Sequence, residues 1–489
     1  MMKIMSLTTL LCLFFSALMS TPVDVPTSYQ MVNAKLEYDG KQHDYHLEDN
    51  FILYAEDNHW VVAYVFELSP TGFIIITADD QLPPVIAYSY ENDCGVRDVE
   101  NNPLLNFTRA DLTWKMQNIE KIPPAARSEF HNQWNDFLTG NYPDRRFFEQ
   151  WPPAGSTPTG GWLMENWTQS SPYNNLCPMD TAAGSRCVAG CPAVAMGMIL
   201  NFQGNINSTR FDDNDDYYHN YEQDFWIDDA SETFGFPSWT QLNVYLDTLE
   251  SHYQYNYPLT SVDKAALVYA CGAACKQVYS ASISGTWGVN QAYNAYLKFN
   301  FTSCELLDST SDSLYERMSQ NMKDAMPVHF AAIETNNAYG HNFVADGYNT
   351  DDYYHLNMGW GGTYNGWYLI PSQIPYSLTK IEGIIVDIGE SQLGCQEEPI
   401  NRPNPNSIAY QIDYSSHLVQ ISYHIDQSSM VNLSVYNLAG QLVENILNTN
   451  QGSGSYSLKT DLSSYQNGVY IFRLSTDYSS QSLKILHLK

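Results

Sequence analysis

Positive charge is scarce in this chain. Lysine and arginine number 23 against 54 aspartate and glutamate, for a formal net charge of −31 over 489 residues. Nucleic-acid binding rests on Lys and Arg neutralising phosphates, and docking on anionic lipid rests on basic clusters, so neither is expected here. Past the amino terminus no apolar run approaches the roughly 20 residues that span a bilayer. Paired C-x-x-C spacing with nearby histidine is also missing, which argues against zinc. The acidic run Asp212-Asp213-Asn214-Asp215-Asp216 lacks the glycine and distal glutamate of an EF-hand loop and reads as a solvated loop. No metal or organic cofactor is expected.

What is present sets the class. Hydrophobic residues make up 44% and aromatics 14%, enough for a substantial core, and the length suggests about three domains. Lys3 precedes an apolar run from Leu7 to Met19, with small residues from Ser16 to Thr21. That is a secretory signal layout, expected over 1–20, and no transmembrane segment is expected once it is removed. At the other end Val431, Leu433 and Val435 alternate with polar residues, and Asn467-Gly468 precedes VYIFRL. These are strand and turn signals of a small β-sandwich over 408–489, behind a Pro/Asn-rich linker over 396–407.

Of nine cysteines, Cys12 falls in the signal and Cys94 in the region after it. The seven others (Cys177, Cys187, Cys191, Cys271, Cys275, Cys304, Cys395) are odd in number, so an exported chain keeps at least one free thiol. A Cys177–Cys187 disulfide is expected, because the segment between them is short and rich in Gly, Pro and Ala.

Gly190-Cys191-Pro192 opens the helix-forming run CPAVAMGMILNF. Proline suits a first helical turn, so Cys191 sits at a helix N-terminus, whose dipole favours thiolate. Cys187 is a rival nucleophile but lies before the helix. Further on, YGHNFVADGY and YYHLNMGWGG read as two strands around a turn at Asn349–Asp352. The hairpin is expected to bring His341 near Asn357, which would hold one ring nitrogen and fix the tautomer. Trp360 would shield the pair from water. The backbone N–H of Cys191, with Gln169 as a further donor, would hold an oxyanion. His355 alternates with apolar neighbours and reads as structural, His329 as core or cleft floor, and His219 and His252 suggest no role.

These motifs carry a family resemblance. GCPAVAMGMILNF, YGHNFVADGY, YYHLNMGWGGTYNGWY and WTQSSPYNNLCP resemble, in turn, the nucleophile helix, the catalytic-histidine strand, the aromatic-glycine strand and the start of the mature domain of streptopain-like cysteine peptidases, peptidase family C10. The resemblance implies an α+β fold with a papain-like two-lobed peptidase domain, expected over 151–395, acting through Cys191 and His341. Relatives usually carry Asn-Trp-Gly-Trp-Gly-Gly where this chain has Asn357-Met358-Gly359-Trp360-Gly361-Gly362, so Met358 stands where a tryptophan is usual. The stretch TGFIIITADDQLPPVIAYS and two helical segments, Ala110–Ile122 and Ser128–Leu138, resemble the family's inhibitory propeptide, an α+β unit expected over 21–150. Arg145-Arg146 before WPPAGSTPTGG is a candidate processing zone. The tail resembles the sorting domain of type IX secretion cargo through VYNLAGQLV, SYSLKTDLSSYQNGVYIFRL and KILHLK.

The expected protein is therefore a secreted or surface-bound cysteine endopeptidase made as a zymogen. Its expected partners are protein or peptide substrates, its own propeptide as intramolecular inhibitor and the type IX secretion machinery. The alternatives are a thiol amidase such as a peptidoglycan hydrolase, or a catalytically weakened surface adhesin.

Overall fold

The computed structural model describes residues 22–487 apart from 56–58, 96, 98–101, 309, 334–339, 371–380, 390–407, 414–417, 426–427, 438–440 and 477–479. The expected signal (1–20), the whole linker (396–407), Cys12 and Cys395 lie outside the described residues.

One antiparallel sheet of 11 strands runs through the amino-terminal and middle regions. It begins with an antiparallel meander, His46–Tyr54, Val61–Ser69, Phe73–Thr77 and Val85–Ser89, and continues into Gly366–Leu369, Tyr353–Asn357, Gly340–Asn349, Val328–Ile333, Ile381–Val386 and Glu305–Asp308. The seam is the antiparallel pairing of Trp367 with Tyr88 and Tyr368 with Ala87. The amino-terminal region is thus hydrogen-bonded to the rest of the fold through backbone as well as packed on it.

Period-two alternation decides which layer each strand residue enters. In Val328–Ile333, Val328, Phe330 and Ala332 face one core while Ala331 faces the other. The first core is shared. Val65, Phe73, Leu105, Leu112 and Phe130 of the amino-terminal region pack there with Met318, Phe330, Phe343, Leu356 and Met358. The second core lies under a helical layer built from Cys191–Gln203, Trp239–Gln254, Ser261–Ala274 and Val289–Lys298. Two of those helices start on reciprocal capping boxes, Ser238 with Gln241 and Thr260 with Asp263, which satisfy amides that have no partner within the helix.

The amino-terminal helices run Val25–Tyr38, Pro103–Gln117 and Pro124–Thr139. The second starts earlier and ends earlier than the sequence pattern suggests. Asn102 accepts from the Leu105 amide and Pro103 occupies the first turn, so the cap and not the apolar spacing sets its start.

The tail is a β-sandwich of a three-stranded and a four-stranded sheet around Val419, Ile421, Val431, Leu433, Val435, Phe472 and Leu474, as the alternation predicts. Among the described residues no helix is long and apolar enough to cross a membrane.

Candidate active site

Cys191 is the first residue of the helix Cys191–Gln203, and the Val194 amide closes the first helical bond onto the Gly190 carbonyl. Gly190 has φ 85°, and a Cβ there would lie 2.7 Å from the Gln277 side chain, so backbone conformation and space both require glycine. Gln277 in turn donates to the Ala189 carbonyl at 2.7 Å. The approach to the thiol is fixed from its other side by the Ala189 amide, which donates to the Gln169 carbonyl at 2.9 Å. Gln169 is itself half-buried beside that lead-in.

The strand Gly340–Asn349 meets the helix at the sulfur. The Asn342 amide donates to Cys191 Sγ at 3.4 Å, which places His341 next to the residue that touches the thiol. The His341 ring stacks on Trp360, with centroids 4.2 Å apart at 17°. Trp360 packs edge-on against Tyr364 at 5.4 Å.

The expected contact between Asn357 and His341 is replaced by another. His341 Nε2 lies 3.0 Å from the Met358 carbonyl, so a proton on Nε2 is donated to backbone. Asn357 donates to Asn166 Oδ1 at 3.3 Å and accepts from the Gly359 amide at 3.2 Å. The reason is register. The strand pairing sets Val344 opposite Asn357. Continued outward, that register places His341 level with Trp360 and leaves Asn357 deeper in the ladder. Asparagines still hold the imidazole's acceptor, through the main chain. The Met358 amide donates to Asn365 Oδ1 at 2.9 Å, and Asn365 donates to the same Asn166 oxygen at 2.9 Å. Met358 itself is buried in the shared core, where its side chain acts as apolar filler.

Burial pushes the Cys191 thiol above its ordinary range, against hydrogen bonds from Asn342 that lower it. Burial also pushes the His341 imidazole down to about 4, against its bond to Met358. At neutral pH these shifts favour thiol and neutral imidazole over the reactive ion pair.

The Cys177–Cys187 bridge is not formed. All seven described cysteines are free, and six of them, Cys191 apart, are buried. The hairpin that pairs Met179 with Arg186 sets Cys187 against Pro178, whose carbonyl accepts the Cys187 amide, so Cys177 is one step out of register. Burial pushes Cys187 up to about 12, which keeps it from competing as the nucleophile.

His219, His252 and His355 each have partners. His219 lies between the carbonyls of Gln223 and Tyr279, and His252 bonds Asp263 at 2.9 Å. His355 and Asp346 form a fully buried pair at 2.6 Å. The second oxygen of Asp346 accepts the Leu163 amide at 2.9 Å, and a Cβ on Gly161 would come within 2.3 Å of that carboxylate. Breaking such a pair by deleting one member leaves the other buried and unmatched. Asp346→Ala is expected to lower the unfolding free energy by about 3–5 kcal/mol, read from urea melts of the full chain. In the acidic run, Asp212 caps the Asn214 amide, Asp215 pairs with Lys298 and Asp216 accepts from Trp239 Nε1.

Comparison with known proteins gives the class. Residues 167–368 match the Peptidase C10 family, 44–110 match the Spi protease inhibitor and 403–487 match the secretion system C-terminal sorting domain. Residues 167–368 form a peptidase C10 domain. That places the chain among the cysteine peptidases. It is 23% identical over 345 residues to streptopain of Streptococcus pyogenes, covering 64% of this chain and 75% of streptopain. It is 22% identical over 345 residues to the thiol protease/hemagglutinin PrtT of Porphyromonas gingivalis, covering 68% of this chain; the match spans about a third of that protein's length, 36%. Among solved structures it is similar to a prointerpain A fragment of Prevotella intermedia, with a TM-score of 0.44 and 21% identity, covering 70% of this chain and 99% of the fragment.

Sequence reasoning named Cys191, His341, Asn357, Gln169 and Trp360 as site residues but passed over Asn342, Asn166 and Asn365, which bond in the same region. The visible signal for the first was the His341-Asn342 dipeptide itself, a polar side chain on a strand otherwise reading as core.

Proposed function

We propose that the chain is a secreted cysteine endopeptidase made as a zymogen, with 21–150 as inhibitory pro-region, 151–395 as peptidase domain and 408–489 as a sorting tail recognised by type IX secretion machinery. The observation that carries the reading is the Asn342 amide on Cys191 Sγ, which joins the helix N-terminus to the histidine strand.

In this reading His341 has Nε2 committed to the Met358 carbonyl, leaving Nδ1 to take the thiol proton. Thiolate attacks the scissile carbonyl carbon. The oxyanion is held by the Cys191 amide, with Gln169 as the further donor. Collapse breaks the C–N bond as His341 protonates the leaving amine. His341 then deprotonates water, which attacks the thioester and restores the thiol. Trp360, stacked on the ring, shields it from solvent, and Asn357 serves by fixing the peptide next to Met358.

Latency is supported by two features. The Tyr364 amide donates to the Asp93 carbonyl, so the pro-region touches the wall on which Trp360 rests. Burial pushes the thiol up and the imidazole down, which favours the neutral forms of both at neutral pH. The substrate class is tested by giving the matured chain casein and purified peptidoglycan side by side. Peptides released from casein alone are expected, and soluble muropeptides without casein cleavage would transfer the reading to a cell-wall amidase.

A further inference from the structure

Behind the nucleophile lies a line of buried polar groups that the mechanism above does not use. Tyr296, on the helix Val289–Lys298, and His329, on the strand Val328–Ile333, are both fully buried, and Asn342 is only 9% exposed. Tyr296 Oη is 3.1 Å from His329 Nδ1, and His329 Nε2 is 2.8 Å from Asn342 Oδ1. Asn342 Nδ2 then points at Cys191 Sγ at 4.0 Å, beside its own backbone amide at 3.4 Å.

The chain of bonds has one consistent direction. Burial pushes His329 down to about 4, so at neutral pH its ring carries one proton and accepts at the other nitrogen. Burial holds the Tyr296 phenol protonated, so it is a donor. Tyrosine therefore donates to Nδ1, Nε2–H donates to the asparagine oxygen, and the asparagine Nδ2–H is left for the sulfur. The reverse amide orientation would set two N–H groups against each other at His329 and an oxygen against a thiolate. Three elements, a helix and two strands, thus aim a single N–H at the reacting atom. Apolar side chains of the same size would fill this core without stranding polar groups.

We propose that the Asn342 side chain, held in place by His329 and Tyr296 as positioning residues, stabilises the Cys191 thiolate and so helps to set the reactivity of the nucleophile. The inference rests on Cys191 being the nucleophile. It assigns to Asn342 a charge-stabilising role separate from proton transfer by His341 and from the oxyanion donors.

The test is the pH dependence of Cys191 alkylation by iodoacetamide in the full chain, read by peptide mass mapping, with circular dichroism as the check on folding. Hydrogen bonds to a charged group are worth enough to move a thiol midpoint by about 1 pH unit. Asn342→Ala is expected to raise the midpoint by about that amount, Asn342→Asp by more because it sets a carboxylate against the sulfur, and the near-isosteric Tyr296→Phe by less in the same direction. Tyr296→Phe also decides the matter if the Asn342 variants do not fold. An unchanged midpoint in the folded variants overturns the inference while leaving Cys191 as nucleophile. A wild-type chain in which Cys191 is not alkylated at any pH, either before or after removal of the pro-region, overturns the nucleophile reading itself, and this inference with it.

Discussion

Cys191→Ala in the matured chain is expected to lower casein hydrolysis by at least about 10⁴-fold while leaving the thermal midpoint close to that of wild type. The size follows from covalent catalysis acting as a unit. Removing the nucleophile removes thioester formation entirely, and what remains is the residual effect of binding and oxyanion donors. The small structural cost follows from the site: Cys191 is only partly covered, and its sulfur is held by two long hydrogen bonds from Asn342. His341→Ala should fall by a similar factor and not by the square of it, because the two residues perform one step together. Initial rates on fluorescent casein measure both. A Cys191→Ala variant that keeps a tenth or more of the wild-type rate would remove Cys191 from the mechanism.

The second large effect is activation. The full chain is expected to hydrolyse casein about 10³-fold more slowly than the chain freed of its pro-region. A tethered inhibitor acts at an effective concentration in the millimolar range, so even a micromolar intrinsic affinity leaves the site open only about 10⁻³ of the time. The contacts here support at least that affinity. The pro-region shares an apolar core with the peptidase domain, adds its strand at the Tyr88–Trp367 seam and sends Tyr38 to bond Asp351 at 3.0 Å. At the expected processing zone the two arginines differ. Arg145 lies between Asp39 and Asp351, 3.4 Å from each, whereas the Arg146 side chain is 84% exposed and pairs with Asp144. Cleavage should therefore begin at the exposed side of this pair. Activity followed during limited trypsin treatment, with mass analysis of the fragments, tests the sequence of events. Equal rates before and after separation of the pro-region would mean that it does not inhibit.

The site was legible where its chemistry is local. A Gly-Cys-Pro entry to an apolar helix announces a thiol at a helix N-terminus, and Gly-His-Asn before alternating residues announces a strand that starts on an imidazole. What sequence could not give was register. Asn357 was expected beside His341, but the strand pairing sets it opposite Val344, three residues from His341, and the imidazole meets the Met358 carbonyl instead. Register also separates Cys177 from Cys187. Contacts among several distant segments were equally hidden. Tyr296, His329 and Asn342 each look like ordinary core positions in their own segments, and only the packed helix-on-sheet layer shows them in line. The pro-region's sheet was legible as strands but not as an extension of the peptidase sheet, because the Tyr88–Trp367 pairing joins strands with no shared turn to link them.

The central claim is that the sulfur of Cys191 is the reacting atom of the matured chain. Peptide mass mapping after treatment with an E-64-type epoxide tests it most directly. The account predicts one adduct, on the peptide that begins the helix Cys191–Gln203, with its formation lost in His341→Ala. An adduct on Cys187 or another cysteine instead, or none on a chain that cleaves casein, would contradict it.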